Sequence, residues 1–145
     1  MTNIISFTIQ GEPVAKARAR VTDRRDRNGK RITYTPEKTS AAEYDFQIQA
    51  MWHRPDIPFT GPLVLRAKFY RMIPKSFSNR RRDYAEAGKL RPATKPDLDN
   101  LVKLVKDAMQ GIFYANDSQI VRIEAEKWYS ENPRIEIILE KLCED

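Results

Sequence analysis

Hydrophobic and polar positions alternate in four stretches of this chain, as is typical of strands with one buried face. These stretches are residues 4–10, 63–72, 120–129 and 134–139. A fifth stretch, residues 20–34, predicts a hairpin because Asn28-Gly29 in its middle is a strong turn signal.

Two further stretches carry apolar residues spaced by three and four, which predicts amphipathic helices. The first helix is predicted to be capped by Thr39 or Ser40 and to end near His53. Its apolar stripe comprises Ala42, Phe46 and Gln49 or Ala50, widened by Tyr44, Ile48, Met51 and Trp52. The second helix is predicted to run from Leu98 to Met109.

Together these elements predict an α+β fold in a single domain that covers residues 1–145. We expect one mixed, mainly antiparallel sheet with the two principal helices packed on one side of it. A length of 145 residues fits one domain, and a hydrophobic content of 41% suffices for a single core.

The composition disfavours several classes of protein. Cys143 is the single cysteine and His53 the single histidine, so an intramolecular disulfide and a structural zinc site are both excluded. The same scarcity disfavours Ser-His-Asp and Cys-His catalysis. No apolar run approaches the roughly 18–20 residues of a membrane span, and the N-terminus lacks the basic start of a signal peptide. We therefore expect a cytoplasmic protein with no membrane association.

The formal net charge of +6 arises from two basic stretches that outweigh the rest of the chain. Residues 1–36 carry a net +5 and residues 62–95 a net +8, whereas residues 37–61 carry −2 and residues 96–145 carry −5. The usual partners of such basic stretches are nucleic acid, anionic membrane and acidic protein. The alternative is a soluble surface that is simply rich in Lys and Arg.

Arginine predominates in the basic clusters, and its planar group can bind two phosphate oxygens at once. The clusters lie among Pro, Gly, Asn and Ser residues, so they are predicted to be loops, with a short helix near Asp83 to Ala87. A segment as long as residues 75–96 is usually either functional or mobile in a compact domain. The residues of these segments that are predicted to contact the phosphates of a nucleic acid are Lys16, Arg18, Arg20, Lys75, Arg80, Arg81, Arg82 and Lys95.

Two carboxylates, Asp97 and Asp99, stand two residues apart where an extended segment becomes the second helix. In an extended or capping conformation, positions two apart point to one side, so the spacing can bring both together. The structural alternatives are that Asp97 caps the helix and that Asp99 pairs with Lys103 at i,i+4. Asp117 is either a third carboxylate that approaches the pair or an ordinary turn residue.

Clustered carboxylates on a basic protein suit Mg²⁺, which prefers oxygen ligands shared with substrate phosphates and water. Such a metal activates water and stabilises charge on the scissile phosphate. Without a metal, the carboxylates would repel the nucleic acid that the basic segments attract. The sequence therefore predicts Mg²⁺ at this cluster, with Mn²⁺ able to substitute.

The run KPDLDNLVKLVKDAM, followed by NDSQI, resembles the RusA family of Holliday junction resolvases. The run PVAKARAR and the strand segments RIEAEKW and RIEIILE are also similar to that family. The resemblance implies a RusA-like fold and a homodimer that uses Mg²⁺ to cut four-way DNA junctions by paired symmetrical nicks. It also implies a role in DNA recombination and repair, in a bacterium or phage, with a prophage origin for the gene.

The resemblance also implies roles for particular residues. The residues that match the family's motif are expected to share its roles. The Mg²⁺ ligands are then Asp97, Asp99 and Asp117. Lys103 would lie near the scissile phosphate or order the carboxylates, and Asn100 would support the site. Asn116 stands where some members carry another Asp, so only Asp117 is carried over. Pro96 stands where some members have Arg, with Lys95 beside it.

Phe77 lies between two serines in the second basic segment. It is predicted either to wedge between bases at a junction centre or, as is more common, to pack the loop down. For cleavage we predict attack by water without a covalent enzyme intermediate. Two alternatives stay open: a non-catalytic DNA-binding phage accessory protein with a structural acidic cluster, and a basic protein that binds an acidic partner.

Overall fold

The computed structural model describes residues 3–17, 20–34 and 36–142, and these segments contain six strands and three α-helices. The strands are β1 (Ile4–Gln10), β2 (Arg20–Arg25), β3 (Arg31–Tyr34), β4 (Leu63–Met72), β5 (Ile120–Ser130) and β6 (Arg134–Lys141). The helices are α1 (Glu37–Ala50), α2 (Asn79–Glu86) and α3 (Leu98–Met109), with short 3-10 turns at Met51–His53 and Asp117–Gln119. Every predicted strand and helix is therefore present, with small shifts at the ends.

Four strands form one mixed sheet in the order β1-β6-β4-β5. The pairs β1–β6 and β6–β4 are antiparallel, whereas β4 and β5 run parallel. Parallel neighbours need a crossover connection, and the segment between β4 and β5, which contains α2 and α3, supplies it. Strands β2 and β3 form a separate hairpin, in whose turn Gly29 adopts a φ of 81°. The mixed, mainly antiparallel α+β fold is thus confirmed.

One face of this sheet is buried because α1 and α3 pack on it. Its buried side chains are Leu63, Leu65, Ala67 and Phe69 of β4, Ile135, Ile137 and Leu139 of β6, and Phe7 and Ile9 of β1. The helices contribute Leu101, Val105, Ala108 and Met109 of α3 and Phe46 and Ala50 of α1. The predicted alternation in β4 and the predicted bounds of α3 are both confirmed.

Helix α1 begins at Glu37, after Pro36, so both predicted caps, Thr39 and Ser40, lie inside the helix. Thr39 is not a cap, because its side chain is buried and its hydroxyl accepts a hydrogen bond from the Ala17 N–H at 3.2 Å. It therefore ties the N-terminal segment to α1.

No helix in the described part of the chain is long and apolar enough to cross a membrane.

The prediction that four large apolar side chains widen the buried stripe of α1 is wrong. All four side chains are exposed, namely Tyr44, Ile48, Met51 and Trp52, and the exposed fraction of Trp52 is 87%. The core covers only the narrow face of α1 that carries Phe46 and Ala50. Periodicity shows that a helix has apolar positions, but packing decides which of them meet a partner.

Helix α2 is longer than the short helix predicted near Asp83 to Ala87. The Ser78 hydroxyl accepts a hydrogen bond from the Arg81 N–H at 3.3 Å and so caps the start of the helix. Residues 80–82 therefore lie on a helix, and the loop prediction for this arginine cluster is wrong.

Candidate active site

Asp97 stands where the loop that follows α2 meets α3. It occupies the N-cap position, and its main-chain carbonyl accepts a hydrogen bond from the Leu101 N–H at 3.1 Å. Within the described residues its carboxylate makes no capping hydrogen bond, and the side chain is exposed. The capping alternative therefore does not account for this carboxylate, which lies at the positive end of the α3 dipole.

Asp99 lies in the first turn of α3, and its carboxylate accepts a hydrogen bond from the adjacent Asn100 N–H at 3.0 Å. Its expected partner, Lys103, binds Asp107 instead, at 3.0 Å, and lies 3.9 Å from Asp117. In the part of the chain that the structure describes, Asp99 forms no ion pair. The alternative of an i,i+4 pair with Lys103 is therefore wrong.

Asp117 begins a short 3-10 turn whose geometry is fixed by neighbouring side chains. The Asn116 side chain accepts a hydrogen bond from the Ser118 N–H at 2.9 Å, and the Asp117 N–H donates to Oε1 of Gln110 at 3.0 Å. The Asp117 carboxylate is partly buried and faces the ammonium group of Lys103. The fold thus brings the third predicted carboxylate to the polar side of α3.

The residues predicted to hold Mg²⁺ offer suitable donors but are not gathered around one point. Asp97, Asp99 and Asp117 present carboxylate oxygens, which are the ligands that Mg²⁺ prefers. Among residues 3–17, 20–34 and 36–142, no three His, Cys, Asp or Glu side chains are grouped so that they could hold a metal ion. The donor chemistry fits the metal, and the ligand set stays a prediction.

Lys16, predicted to contact DNA, belongs to the same cluster. Its N–H donates to the Asn100 carbonyl at 2.9 Å, and its ammonium group pairs with Glu43 and, at 3.4 Å, with Asp107. Burial acts to lower the pKa of this ammonium, but hydrogen bonds and charge from Glu43 and Asp107 outweigh it and raise the pKa above the ordinary lysine value. Lys16 is therefore engaged with two carboxylates of its own chain.

Two carboxylates of this cluster, Glu43 and Asp107, are absent from the predicted site. Asp107 lies four residues after Lys103, and this spacing is a usable signal for an ion pair on one helix face. Glu43 lies on α1 and contacts Lys16, which is 27 positions away in the sequence. No local sequence pattern therefore predicts this ion pair.

Gln119 ties the turn at Asp117 to the segment that precedes β4. Its Oε1 accepts hydrogen bonds from the N–H groups of the two residues before Asp117, each at 3.1 Å. Its Nε2 donates to the carbonyls of Phe59 at 2.9 Å and Gly61 at 3.1 Å. The amide of Gln119 therefore uses all four of its hydrogen-bonding positions to hold the turn.

Replacing Gln119 by leucine is expected to lower the free energy of unfolding by about 2–3 kcal/mol, because each net hydrogen bond contributes about 0.5–1.5 kcal/mol. Urea denaturation of the two proteins measures the difference. Gln47→Leu is the control, since the Gln47 amide donates one hydrogen bond, to the Ala108 carbonyl at 3.2 Å. It should cost about 1 kcal/mol. Equal losses in the two variants would contradict the role given to Gln119.

Aromatic rings hold the first two arginines of α2. Arg80 donates to the Tyr84 hydroxyl at 3.2 and 3.4 Å, and the guanidinium of Arg81 lies 4.1 Å from the centroid of the Phe77 ring. Phe77 is half-buried and meets Tyr129 edge to face, with 5.6 Å between ring centroids. These contacts favour the packing role of Phe77 over the wedge.

The other predicted DNA-contacting residues differ in their surroundings. Arg82 is half-buried and pairs with Glu131, whereas Lys75 and Lys95 are exposed. Of the predicted contacts, the structure thus places the following on the surface: Lys75, Arg80, Arg81 and Lys95. Two other predicted contacts, Arg18 and the side chain of Arg20, lie outside the described residues, as does Cys143.

The fold and the site define a basic α+β protein with exposed aspartates at the start of one helix and a lysine that links this helix to a further aspartate. The family model for Endodeoxyribonuclease RusA matches residues 10–140 of the chain. The chain therefore belongs to the RusA family of endodeoxyribonucleases, which confirms the resemblance found in the sequence.

Two relatives are similar to this chain over very different lengths. The uncharacterized protein YqaN of Bacillus subtilis (strain 168) is 44% identical over 140 residues, which cover 95% of this chain and 96% of that protein. The crossover junction endodeoxyribonuclease rusA of Lactococcus phage r1t is 51% identical over 45 residues, which cover 30% of this chain and 34% of that protein. The likeness to the phage enzyme is therefore local.

Proposed function

We propose that this protein is an Mg²⁺-dependent endonuclease that resolves Holliday junctions by paired symmetrical nicks, in DNA recombination and repair. The observation that carries the proposal is the exposed pair Asp97 and Asp99: the Asp97 carboxylate makes no capping hydrogen bond, and Asp99 forms no ion pair with Lys103. In a family of DNA-cutting proteins, exposed carboxylates that no Lys or Arg of the described residues neutralises are explained by a cation that lies between them and the phosphates. Membership of an endodeoxyribonuclease family supports DNA as the substrate.

In this proposal Asp97, Asp99 and Asp117 hold Mg²⁺ or Mn²⁺, and Asn100 supports them. The metal supplies an activated water and charge stabilisation at the scissile phosphate. Lys103, whose ammonium lies 3.9 Å from Asp117, orders this carboxylate and presents a positive charge to the phosphate. Because water is the nucleophile, no covalent enzyme–DNA intermediate forms.

Four-way DNA junctions are the proposed partner, with the exposed basic residues in contact with their phosphates. Affinity of this kind falls steeply as salt rises, because bound counterions are released. A homodimer would present two equal active sites to a two-fold symmetric junction. We place this single domain, residues 1–145, in the bacterial cytoplasm, and similarity to a Lactococcus phage protein supports a prophage origin.

Nicking of synthetic four-way junctions tests the proposal. In Mg²⁺ the purified protein is expected to cut mobile and fixed junctions at symmetrical positions and to leave a linear duplex of the same sequence intact. EDTA should stop cutting while the junction stays bound. A protein that cuts no junction in either Mg²⁺ or Mn²⁺ would overturn the proposal.

A non-catalytic DNA-binding protein with a structural acidic cluster is the second candidate. It is favoured by one observation, that Lys103 already binds Asp107 and faces Asp117. Calorimetric titration with Mg²⁺ and Mn²⁺ in the presence of a junction separates the two candidates. Junction binding without any heat of metal binding would select the non-catalytic one.

A further inference from the structure

The three residues before the N-cap of α3 are held through their carbonyl groups. The ammonium group of Lys127, on β5, donates to the carbonyls of Thr94 at 2.8 Å and Pro96 at 3.0 Å. The guanidinium of Arg71, on β4, donates to the carbonyl between them, that of Lys95, at 2.6 Å. Two neighbouring parallel strands thus bind three successive carbonyls of the segment that leads into the candidate active site.

Arg71 and Lys127 differ in what else they bind. Nε of Arg71 pairs with Glu12 at 3.0 Å, and the other oxygen of Glu12 accepts a hydrogen bond from the Met72 N–H at 3.0 Å. The ammonium group of Lys127 has no carboxylate partner among the described residues, and both of its hydrogen bonds go to the loop. Within the described residues, the ammonium group of Lys127 therefore binds the loop only, whereas the guanidinium of Arg71 also binds Glu12.

The position of Lys127 on its strand is unusual for a cation. In the register of β4 and β5, Lys127 lies opposite Phe69 and Ala125 lies opposite Ala67, and both of these β4 residues are buried. Lys127 therefore projects on the side of the sheet that faces the helices, where apolar side chains are the rule. A half-buried cation there requires polar partners, and the two carbonyls supply them.

The other end of the same loop is also docked on β5. Nε of Arg91 donates to the Lys127 carbonyl at 2.6 Å, and its guanidinium lies 3.4 Å from the centroid of the Trp128 ring. A Cβ at Gly88 would lie 2.7 Å from the same ring, so glycine permits this close approach. The loop is thus fixed at both ends, and Lys127 secures the end that leads to α3.

We propose that Lys127 is a positioning residue of the active site. By binding the carbonyls of Thr94 and Pro96, it fixes the direction in which Asp97 and Asp99 leave the loop at the start of α3. The inference rests on the proposed function, because the fixed direction matters for cutting if these aspartates hold the metal. Loss of a partner that bonds directly to a metal ligand typically lowers metal affinity by about 10–100-fold, and we expect the lower end of this range for Lys127, which acts through the backbone beside the ligands.

Lys127→Met removes the ammonium group and keeps most of the stem. Hydrogen–deuterium exchange of the peptide that covers residues 93–101 should become faster, because two of the three carbonyl contacts are lost. Mn²⁺ affinity, measured by electron paramagnetic resonance on the junction complex, should fall by about 10-fold or more. The Mg²⁺ concentration for half-maximal nicking should rise by the same factor, while junction affinity in EDTA changes by less than about 2-fold.

Two further variants serve as controls, and a third replaces Lys127→Met if that variant does not fold. Lys68→Met makes the same change of charge on the exposed, opposite face of the sheet and should leave all four quantities unchanged. Lys127→Arg can still donate to two carbonyls and should restore most of the Mn²⁺ affinity. If thermal melting shows that Lys127→Met does not fold, Lys127→Gln, which keeps one donor group, takes its place.

The outcomes separate the inference from the function on which it rests. Unchanged exchange at residues 93–101 would overturn the inference, and so would faster exchange with unchanged Mn²⁺ affinity, since Lys127 would then be structural only. A wild-type protein that neither binds Mn²⁺ nor cuts would overturn the proposed function and the inference with it. That failure is recognised because it appears before any substitution is made.

Discussion

Asp99→Asn is expected to lower the rate of junction nicking by about 10³-fold or more, since losing a metal ligand removes several kcal/mol of transition-state stabilisation. The substitution keeps the size of the side chain and removes its charge. Because Asp99 forms no ion pair within the described residues, the fold should not change. Junction affinity should stay the same or rise slightly, as one negative charge that faces the phosphates is lost. Nicking under single-turnover conditions and binding in EDTA measure the two effects.

Asp56→Asn is the companion variant for this measurement. Asp56 is an exposed carboxylate in the segment before β4, so its substitution changes the net charge equally and should leave nicking within about 2-fold of wild type. If Asp99→Asn cuts as fast as Asp56→Asn, Asp99 does not hold the metal. The carboxylate cluster would then be structural, as in the second candidate function.

Phe7→Ala is expected to lower the free energy of unfolding by about 3–5 kcal/mol, as is typical when a buried aromatic side chain is removed. The Phe7 ring lies 5.2 Å from that of Phe113 and 6.2 Å from that of Phe46, measured between centroids. It therefore joins β1, α1 and the segment after α3. Since small domains are stable by about 5–15 kcal/mol, the variant should be close to unfolding at ordinary temperatures.

Urea denaturation measures this loss, with Trp52→Ala as the comparison. Trp52 is also a large aromatic residue, but 87% of it is exposed, so its removal should cost less than about 0.5 kcal/mol. Similar losses in the two variants would mean that Trp52 is covered in solution, and its neighbours on α1 would then need the same test.

The elements that the sequence predicts best are those whose pattern is unambiguous over a long run. Helix α3 was predictable from Leu98 to Met109 because its apolar residues recur at three and four and its polar face carries Asp and Lys. In strand β4 the alternating residues Leu63, Leu65, Ala67 and Phe69 are buried as predicted, although Val64 between them is buried as well. In α1 the apolar residues are spread around the helix, so the pattern cannot tell that Phe46 is buried and Tyr44 exposed.

The candidate site shows the same division between local and distant signals. Asp97 and Asp99 lie only two positions apart, so a local pattern indicates them as candidates, although the same pattern also fits a helix cap and an i,i+4 ion pair. The contact between Lys16 and Glu43 joins residues that are 27 positions apart. The hydrogen bonds from Lys127 to Thr94 and Pro96 span 33 and 31 positions. Such contacts follow from how the helices, strands and loops pack together, which no short motif specifies.

The strand order also limits when the chain can fold during synthesis. Strand β6, the last in the described chain, lies between β1 and β4 and is the partner of β1 in the sheet. The four-stranded sheet therefore cannot be completed until residues 134–141 have left the ribosome, and β1 has no strand partner in this sheet before then. Since domains form as cooperative units, a ribosome that stalls before β6 would hold a chain whose sheet is incomplete and whose β1 has no partner.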